Sequence, residues 1–166
     1  MNTNDQDVLN RAARIRFLAL DCDGVLTDGK IYIGAEGELM KAFHVHDGQG
    51  IVRWIMSGRH CAIITARRSD ILEFRAKELG IPILRQGVSD KAGMLDELAK
   101  ELGVEVSEIA YLGDDLGDLS AMKLAGLPVA VANAVPEVKQ AASLLTNKNG
   151  GDGAVRELID FLLSAS

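Results

Sequence analysis

The stretch FLALDCDGVLTDG, residues 17–29, decides the fold of this chain. Its first four residues are apolar, which is typical of a strand buried on both faces, as in a parallel sheet covered by helices. Asp21 and Asp23 follow this strand together, and Gly24 allows the backbone to turn sharply after them. Because ligands of open parallel sheets bind at the carboxyl edge, the stretch predicts a reactive carboxylate pair at a binding edge. For either aspartate alone, capping of a following helix is the alternative.

The rest of the chain alternates between apolar strand-like runs and helical patterns. Helix-capping signals are present, since Ser69 and Asp90 precede helical segments that Gly80 and Gly103 end. The strand-like runs are residues 17–20, 61–65, 81–84, 109–112 and 129–131. This alternation predicts an α/β fold with a doubly wound, Rossmann-like parallel sheet.

Residues 29–43 interrupt this alternation. Two short alternating runs flank the sequence Gly34-Ala35-Glu36-Gly37, which is typical of a β-hairpin inserted after the first strand. Such a hairpin would project over the predicted site, and it is too small to be a cap domain. We therefore expect a single domain over residues 1–166, with a short N-terminal helix and a C-terminal tail from about 147 to 166.

Composition limits the classes of function. The chain has 166 residues, 48% of them apolar, which suffices for one buried core. A net charge of -6 and a pI near 5.0 argue against nucleic-acid or anionic-membrane binding. The polar N-terminus and the absence of a long apolar run predict a cytoplasmic protein. Cys22 and Cys61 lie in apolar runs and are interpreted as reduced core thiols.

Polar side chains follow several predicted strands or begin helices, in the order Asp21/Asp23, Thr65, Lys91 and Asp114/Asp115. In a parallel sheet these positions converge on one edge. An aspartate there can attack phosphorus, and a second can protonate the leaving oxygen and then activate water. Neighbouring carboxylates require a cation, and hard oxygen ligands favour Mg²⁺. Lys91 as a solvated helix-start residue is the alternative.

These motifs resemble the signature motifs of the haloacid dehalogenase superfamily, in its phosphatase branch. The resemblance rests on DCDGVLTDG, the run ending at Thr65, Lys91 and GDDLGD. The hairpin, FHVHDGQG and GGDGAVRE are similar to a capless subgroup that acts on phosphorylated 3-deoxy-2-keto sugar acids. The resemblance implies a Mg²⁺-dependent phosphomonoesterase that forms an aspartyl-phosphate. The substrate it implies is 3-deoxy-D-manno-octulosonate 8-phosphate, with a nonulosonate 9-phosphate as the alternative.

The resemblance also implies roles for individual residues. Asp21 would be the nucleophile and Asp23 the general acid/base. The metal would be held by Asp21, Asp23 through its backbone carbonyl, and Asp114, with Asp115 and Asp118 supporting them. The phosphate would be bound by Thr65, Ala66, Lys91 and Gly24, and the substrate by His46, Asp47, Arg67 and Arg156. A homotetramer is implied, in which hairpins pack together and a neighbour's tail completes the substrate site.

Some positions depart from the family pattern or allow a structural interpretation. Ala66 stands where many relatives have glycine, and His46 where many have arginine. His44 and His46 alternate as on a strand, so their side chains would share a face. They could be solvated or interface side chains, or they could contact a metal or the substrate. Asp152 is predicted to cap the last helix, with a mobile active-site tail as the alternative. Two other functions stay open: a phospho-receiver domain, and a catalytically silent dehalogenase-like module that serves assembly.

Overall fold

The computed structural model describes residues 5–165. Its helices are α1 (Gln6–Ala12), α2 (Val45–Met56), α3 (Asp70–Glu78), α4 (Lys91–Leu102), α5 (Leu119–Leu124), α6 (Pro136–Ala141) and α7 (Ala154–Ser164). Its strands are β1 (Phe17–Leu20), β2 (Tyr32–Gly34), β3 (Gly37–Met40), β4 (His60–Thr65), β5 (Ile83–Gln86), β6 (Ile109–Gly113), β7 (Leu127–Ala130) and β8 (Leu144–Leu145).

Six strands form one parallel sheet in the order β5-β4-β1-β6-β7-β8. The reversal of strand order around β1 confirms the doubly wound α/β fold. Leu20 pairs with Ile63 of β4 and with Leu112 of β6, so the carboxyl ends of the three central strands are nearly level. The loops that follow them therefore meet at one edge of the sheet, as the sequence predicts.

The core lies on both faces of this sheet. Strands β1 and β6 are buried along their whole length, which explains their uninterrupted apolar sequence. Trp54 of α2 is fully buried and donates a hydrogen bond to the carbonyl of His60. Cys22 and Cys61 are buried free thiols, as predicted, and burial raises the pKa of Cys61 to about 12. In the described part of the chain, no helix has the length and apolar character needed to span a membrane.

The predicted helix caps at α3 and α4 are confirmed. The Ser69 hydroxyl accepts a hydrogen bond from the Leu72 amide at 3.2 Å, and the Asp90 carboxylate accepts one from Gly93 at 2.9 Å. Gly103 ends α4 in the left-handed conformation, with φ of 63°. Strand β5 begins two residues later than predicted, because the Ile81 amide is still bonded to the Ala76 carbonyl at the end of α3.

The prediction that Asp152 caps α7 is wrong. Gly153 is the N-cap residue, with φ of 97° and no side chain to accept a hydrogen bond. The carboxylate of Asp47, in the first turn of α2, accepts instead from the amides of Gly153 (3.2 Å) and Arg156 (2.7 Å). A distant residue therefore performs the capping that the local sequence assigned to a neighbour.

The inserted hairpin is confirmed, with β2 and β3 joined through the turn at residues 34–37. The strand-like placement of the two histidines that follow it is wrong. His44 is the N-cap of α2, and His46 lies in the first turn of that helix. Their rings nevertheless meet edge to face with centroids 5.0 Å apart, so the two side chains are neighbours as expected, although the segment is helical.

Candidate active site

A cavity of about 300 Å³ opens at the carboxyl edge of the sheet. It contains most of the residues that the sequence placed in the site: Asp21, Asp23, Thr65, Ala66, Arg67, Lys91, Asp114, Asp115 and Asp118. Thr65 is buried at the end of β4, and Ala66 is exposed just beyond it. The topology thus brings together residues that are up to 97 positions apart, as the numbers 21 and 118 show.

The centre of the cavity is a buried ion triad. The Lys91 ammonium lies 2.8 Å from an Asp21 oxygen and 2.7 Å from an Asp118 oxygen, and all three residues are buried. Burial raises the pKa of Asp21 to about 6, with a contribution from Asp118 that Lys91 opposes. Burial works against the charge of Lys91, but Asp21 and Asp118 outweigh it and raise its pKa. The structure therefore shows Lys91 buried and paired with two carboxylates, not solvated as a helix-start residue.

Asp118 orients the groups around it. It accepts hydrogen bonds from the Tyr111 hydroxyl at 2.8 Å and from the Asp114 amide at 2.9 Å, besides the Lys91 ammonium. The bond from Tyr111 anchors Asp118 to β6, and the other two fix the lysine and the loop that carries Asp114. Sequence reasoning did not identify Tyr111, although a tyrosine in an otherwise aliphatic buried strand requires a partner for its hydroxyl.

Three carboxylates form a site that suits a divalent metal. Oxygen atoms of Asp21, Asp114 and Asp118 all lie within 4.8 Å of one another. Burial, together with the charges of Asp21 and Asp118, raises the pKa of Asp114 to about 7, and one of its buried oxygens has no hydrogen-bond partner. Clustered hard oxygen donors, one of them without a hydrogen-bond partner, fit Mg²⁺. Asp115, which was predicted to support the metal, is exposed and accepts a hydrogen bond from the Leu116 amide at 2.7 Å.

Gly24 shapes the loop after β1 by having no side chain. Its φ is 95°, and a Cβ atom there would lie 1.9 Å from an Asp114 oxygen. Its amide donates to the Thr27 hydroxyl at 3.3 Å, a bond within the loop, and its contact with phosphate stays a prediction.

The segment around Gly150 packs against this same loop. A Cβ atom at Gly150 would lie 1.6 Å from the Gly24 carbonyl oxygen, and the Gly151 amide donates to the Val25 carbonyl at 3.0 Å. The glycines of GGDG are therefore needed for close contact between this segment and the loop that carries Asp23. This contact is made within one chain.

Asp23 faces the inserted hairpin. Its carboxylate accepts a hydrogen bond from the ammonium of Lys41, which also lies 3.2 Å from Glu38. The guanidinium of Arg67 lies 3.7 Å from Asp23 and 3.2 Å from Glu38, and the Ser69 hydroxyl donates to Glu38. Burial works against the charges of Lys41 and Glu38, but their partners outweigh it, so the pKa of Lys41 is raised and that of Glu38 lowered.

Sequence reasoning missed Glu38 and Lys41. Both lie in or just after β3, where charged residues in a short hairpin are typical of a solvated edge. Their spacing gave no signal, because residues three apart on a strand point to opposite faces. Only the placement of the hairpin over the loop after β1 shows that the Lys41 side chain is 3% exposed.

The remaining predicted substrate residues lie elsewhere. His46 and Arg156 line a second cavity of about 720 Å³ beside α7, which shares no lining residue with the first. The Arg156 guanidinium is paired with Asp160 at 2.7 Å. Asp47 is 1% exposed and both its oxygens accept helix amides, so the structure corrects its predicted substrate contact to a capping role.

Comparison with known proteins identifies the family. The sequence profile described as haloacid dehalogenase-like hydrolase matches residues 64–158, more than half of the chain. The chain belongs to the haloacid dehalogenase-like hydrolases. Membership in this hydrolase family excludes the phospho-receiver alternative, whose acidic pair, Thr and Lys follow a different order.

Relatives within the haloacid dehalogenase-like hydrolases are similar over nearly the whole chain. The 3-deoxy-D-manno-octulosonate 8-phosphate phosphatase of Yersinia pestis is 50% identical over 96% of this chain and 85% of its own length. The phosphatase of that name from Moraxella catarrhalis, solved with a magnesium ion, a phosphate ion and a KDO molecule, is 42% identical. It superposes with a TM-score of 0.95 over 98% of this chain and 94% of that one.

A third structure extends the comparison to another metal. The cobalt-bound deoxy-D-mannose-octulosonate 8-phosphate phosphatase of Haemophilus influenzae is 39% identical, with a TM-score of 0.91 over 93% of this chain and 91% of that chain. These TM-scores show that the solved structures share the overall fold of this chain, whose described residues form one six-stranded sheet and one hairpin.

Proposed function

We propose that this protein is a Mg²⁺-dependent phosphomonoesterase that hydrolyses 3-deoxy-D-manno-octulosonate 8-phosphate to 3-deoxy-D-manno-octulosonate and phosphate. The observation that carries the reaction type is the pairing of buried Asp21 with Lys91, beside Asp23, in one cavity. The identity of 50% to a phosphatase of that name supports the substrate. A nonulosonate 9-phosphate is the alternative substrate, because His46 replaces the arginine that many relatives carry.

The first half of the reaction uses both aspartates. A carboxylate oxygen of Asp21 attacks phosphorus, and the bond from phosphorus to the sugar oxygen breaks. The Asp23 carboxyl gives its proton to that oxygen, which leaves as a hydroxyl. Lys91 and the Thr65 hydroxyl bind phosphate oxygens and stabilise the charge that spreads over them.

The second half releases phosphate. Asp23, now ionised, takes a proton from water, whose oxygen attacks the phosphorus of the aspartyl-phosphate. The Asp21 carboxylate is restored when its bond to phosphorus breaks. Asp21, Asp114 and the Asp23 backbone carbonyl would hold the metal, with Asp118 orienting Asp114. Mg²⁺, when bound, neutralises the carboxylates and polarises the phosphoryl group.

The experiment that tests the function is phosphate release across a substrate panel. The panel contains octulosonate 8-phosphate, nonulosonate 9-phosphates and hexose phosphates, each with Mg²⁺, with Asp21→Asn as the inactive control. A strong preference for octulosonate 8-phosphate supports the proposal. A preference for a nonulosonate 9-phosphate would make that compound the substrate and keep the reaction type. Folded protein that binds metal and releases no phosphate from any of them would favour the silent assembly module.

Two finer statements belong to this proposal. The protein forms a homotetramer through its hairpins, which is supported by the exposure of Ile33 (74%) and Leu39 (67%). It acts in the cytoplasm, which is supported by its acidic charge and its reduced core thiols. Light scattering at micromolar concentration tests the tetramer, and a monomeric mass would contradict it.

A further inference from the structure

The hairpin residues Lys41 and Glu38 are the strongest polar feature that the proposed reaction does not use. Lys41 is nearly inaccessible to solvent, with a side chain only 3% exposed, and its ammonium contacts the carboxylates of Asp23 and Glu38. A lysine is almost never buried to this extent unless it is paired. The burial of its charge is therefore balanced by two carboxylates, one of which belongs to the acid/base.

Glu38 is held from the side opposite the hairpin. The Ser69 hydroxyl, which caps α3, donates to one of its oxygens, and Arg67 lies 3.2 Å from the other. Since Arg67 and Ser69 follow β4, Glu38 connects the hairpin to the rigid end of the sheet. The buried ammonium of Lys41 is therefore held between the Asp23 carboxylate and a Glu38 carboxylate that is itself fixed to the sheet.

Asp23 has few other restraints on its side chain. It lies in the loop after β1, its side chain is 18% exposed, and its second oxygen is 3.7 Å from the Arg67 guanidinium. General acid catalysis requires a carboxyl group held within hydrogen-bond reach of the leaving oxygen. A small misplacement of such a group is costly, because the proton must move along a short, aligned path.

We infer that Lys41, with Glu38 as its counter-charge, is a positioning residue that orients the carboxyl group of Asp23 toward the leaving group. The inserted hairpin is then part of the catalytic apparatus of its own chain. The inference rests on the proposed function, in which Asp23 is the general acid. It assigns Lys41 no contact with the reacting atoms.

Leaving-group dependence distinguishes positioning of the acid from general structural support. A sugar hydroxyl is a poor leaving group that requires a proton, whereas p-nitrophenolate leaves readily without one. We expect Lys41→Met to lower kcat on the sugar phosphate by about 10- to 100-fold, a part of what general acid catalysis contributes. On p-nitrophenyl phosphate the loss should be smaller, because the acid is not needed there and only the later base step still depends on Asp23. Asp23→Asn should show the same selective pattern and serves as the reference.

Two further variants sharpen the result. Lys41→Arg retains the charge and should restore most of the sugar-phosphate activity. Lys30→Met is the matched control, since Lys30 lies at the start of the same hairpin, its side chain is 71% exposed, and it pairs with the exposed loop residue Asp28. We expect this control to behave as the wild type on both substrates.

The inference is overturned if Lys41→Met loses activity equally on both substrates, or on neither. If Lys41→Met does not fold, Glu38→Gln is tested instead, because it removes the counter-charge that anchors Lys41 but keeps the ammonium. An equal loss of activity on both substrates in Glu38→Gln would also overturn the inference. Failure of the proposed function has a different signature. Wild-type protein that hydrolyses another alkyl phosphate changes only the substrate used for the comparison, and wild-type protein that hydrolyses nothing overturns both proposals.

Discussion

Asp21 and Asp23 are two residues apart, yet different parts of the molecule hold them. Asp21 is 8% exposed and is paired with Lys91 at the start of α4, which belongs to the sheet-and-helix framework. Asp23 is held by Lys41, at the end of an inserted hairpin. The comparison indicates that the proposed nucleophile depends on the parent fold, whereas the proposed acid/base depends on an insertion. Substitutions around the two residues should therefore have different consequences.

Removal of the nucleophile should have the largest effect on turnover. Asp21→Asn is expected to reduce phosphate release by more than about 10⁴-fold, because no other group forms the covalent intermediate. The fold should be retained, since the change removes a negative charge next to Asp118. Steady-state kinetics and circular dichroism measure the two properties. Turnover like that of the wild type would refute the assignment of Asp21 as nucleophile.

Removal of the acid/base should have a smaller and substrate-dependent effect. Asp23→Asn is expected to lower kcat on the sugar phosphate by about 10²–10⁴-fold, the usual contribution of general acid–base catalysis. Because step two also needs a base, some loss should remain on p-nitrophenyl phosphate, but less than on the sugar phosphate. An unchanged rate on the sugar phosphate would contradict the role of Asp23.

Lys91 tests the framework side of the comparison through stability. Lys91→Met leaves Asp21 and Asp118 buried without their shared cation, so the free energy of unfolding in EDTA should fall by about 3–5 kcal/mol. Urea unfolding followed by tryptophan fluorescence measures this change. Lys100→Met is the matched control on the same helix: its side chain is 75% exposed and paired with Asp96, so the change should have little effect on the free energy of unfolding. Equal midpoints for the two variants would show that the triad is not a stability determinant.

The metal site should make stability depend on pH in the absence of Mg²⁺. The pKa values of Asp21 and Asp114 are raised to about 6 and about 7, so in the folded state these carboxyls bind protons that the unfolded chain has released. The free energy of unfolding in EDTA should therefore increase as the pH is lowered from 8 to 6. Mg²⁺, which takes the place of those protons, should stabilise the protein more at pH 8 than at pH 6.

Asp114→Asn is the control for this pH effect. It removes the carboxyl with the higher pKa, so the rise in stability between pH 8 and pH 6 should become smaller and Mg²⁺ should stabilise less. Thermal unfolding at both pH values, with EDTA or excess Mg²⁺, gives the comparison. Stability in EDTA that is constant or falls between pH 8 and pH 6 would contradict a repulsive carboxylate cluster.

Local patterns in the sequence were sufficient for much of the fold. Runs of apolar residues predicted β1, β4, β6 and β7, and Ser69 and Asp90 predicted the starts of two helices, because strand burial and helix capping depend on nearby residues. The α7 cap was wrong for the opposite reason, since the carboxylate that caps it comes from Asp47, more than a hundred positions away.

The site divides in the same way. Asp21, Asp23, Thr65, Lys91 and Asp114 were identified from sequence because each follows a strand or begins a helix, and the sheet topology brings such positions to one edge. Which groups pair was not predictable: Tyr111 with Asp118, and Lys41 with Asp23. His46 and Asp47 were placed with the substrate by resemblance; in the structure both lie in the first turn of α2, where Asp47 caps α7, and the substrate contact of His46 stays a prediction.

The sequence alone therefore determined the α/β fold, the order of the motifs and the reaction class they resemble. These depend on strand periodicity and on residue types that keep their chemistry in any context. The tertiary structure decided the partner of each charge: that Lys91 binds the nucleophile, that Lys41 holds the acid/base, and that Asp47 caps a helix. Pairing depends on distances of a few ångströms between segments far apart in the chain, and such distances are set only when the core packs.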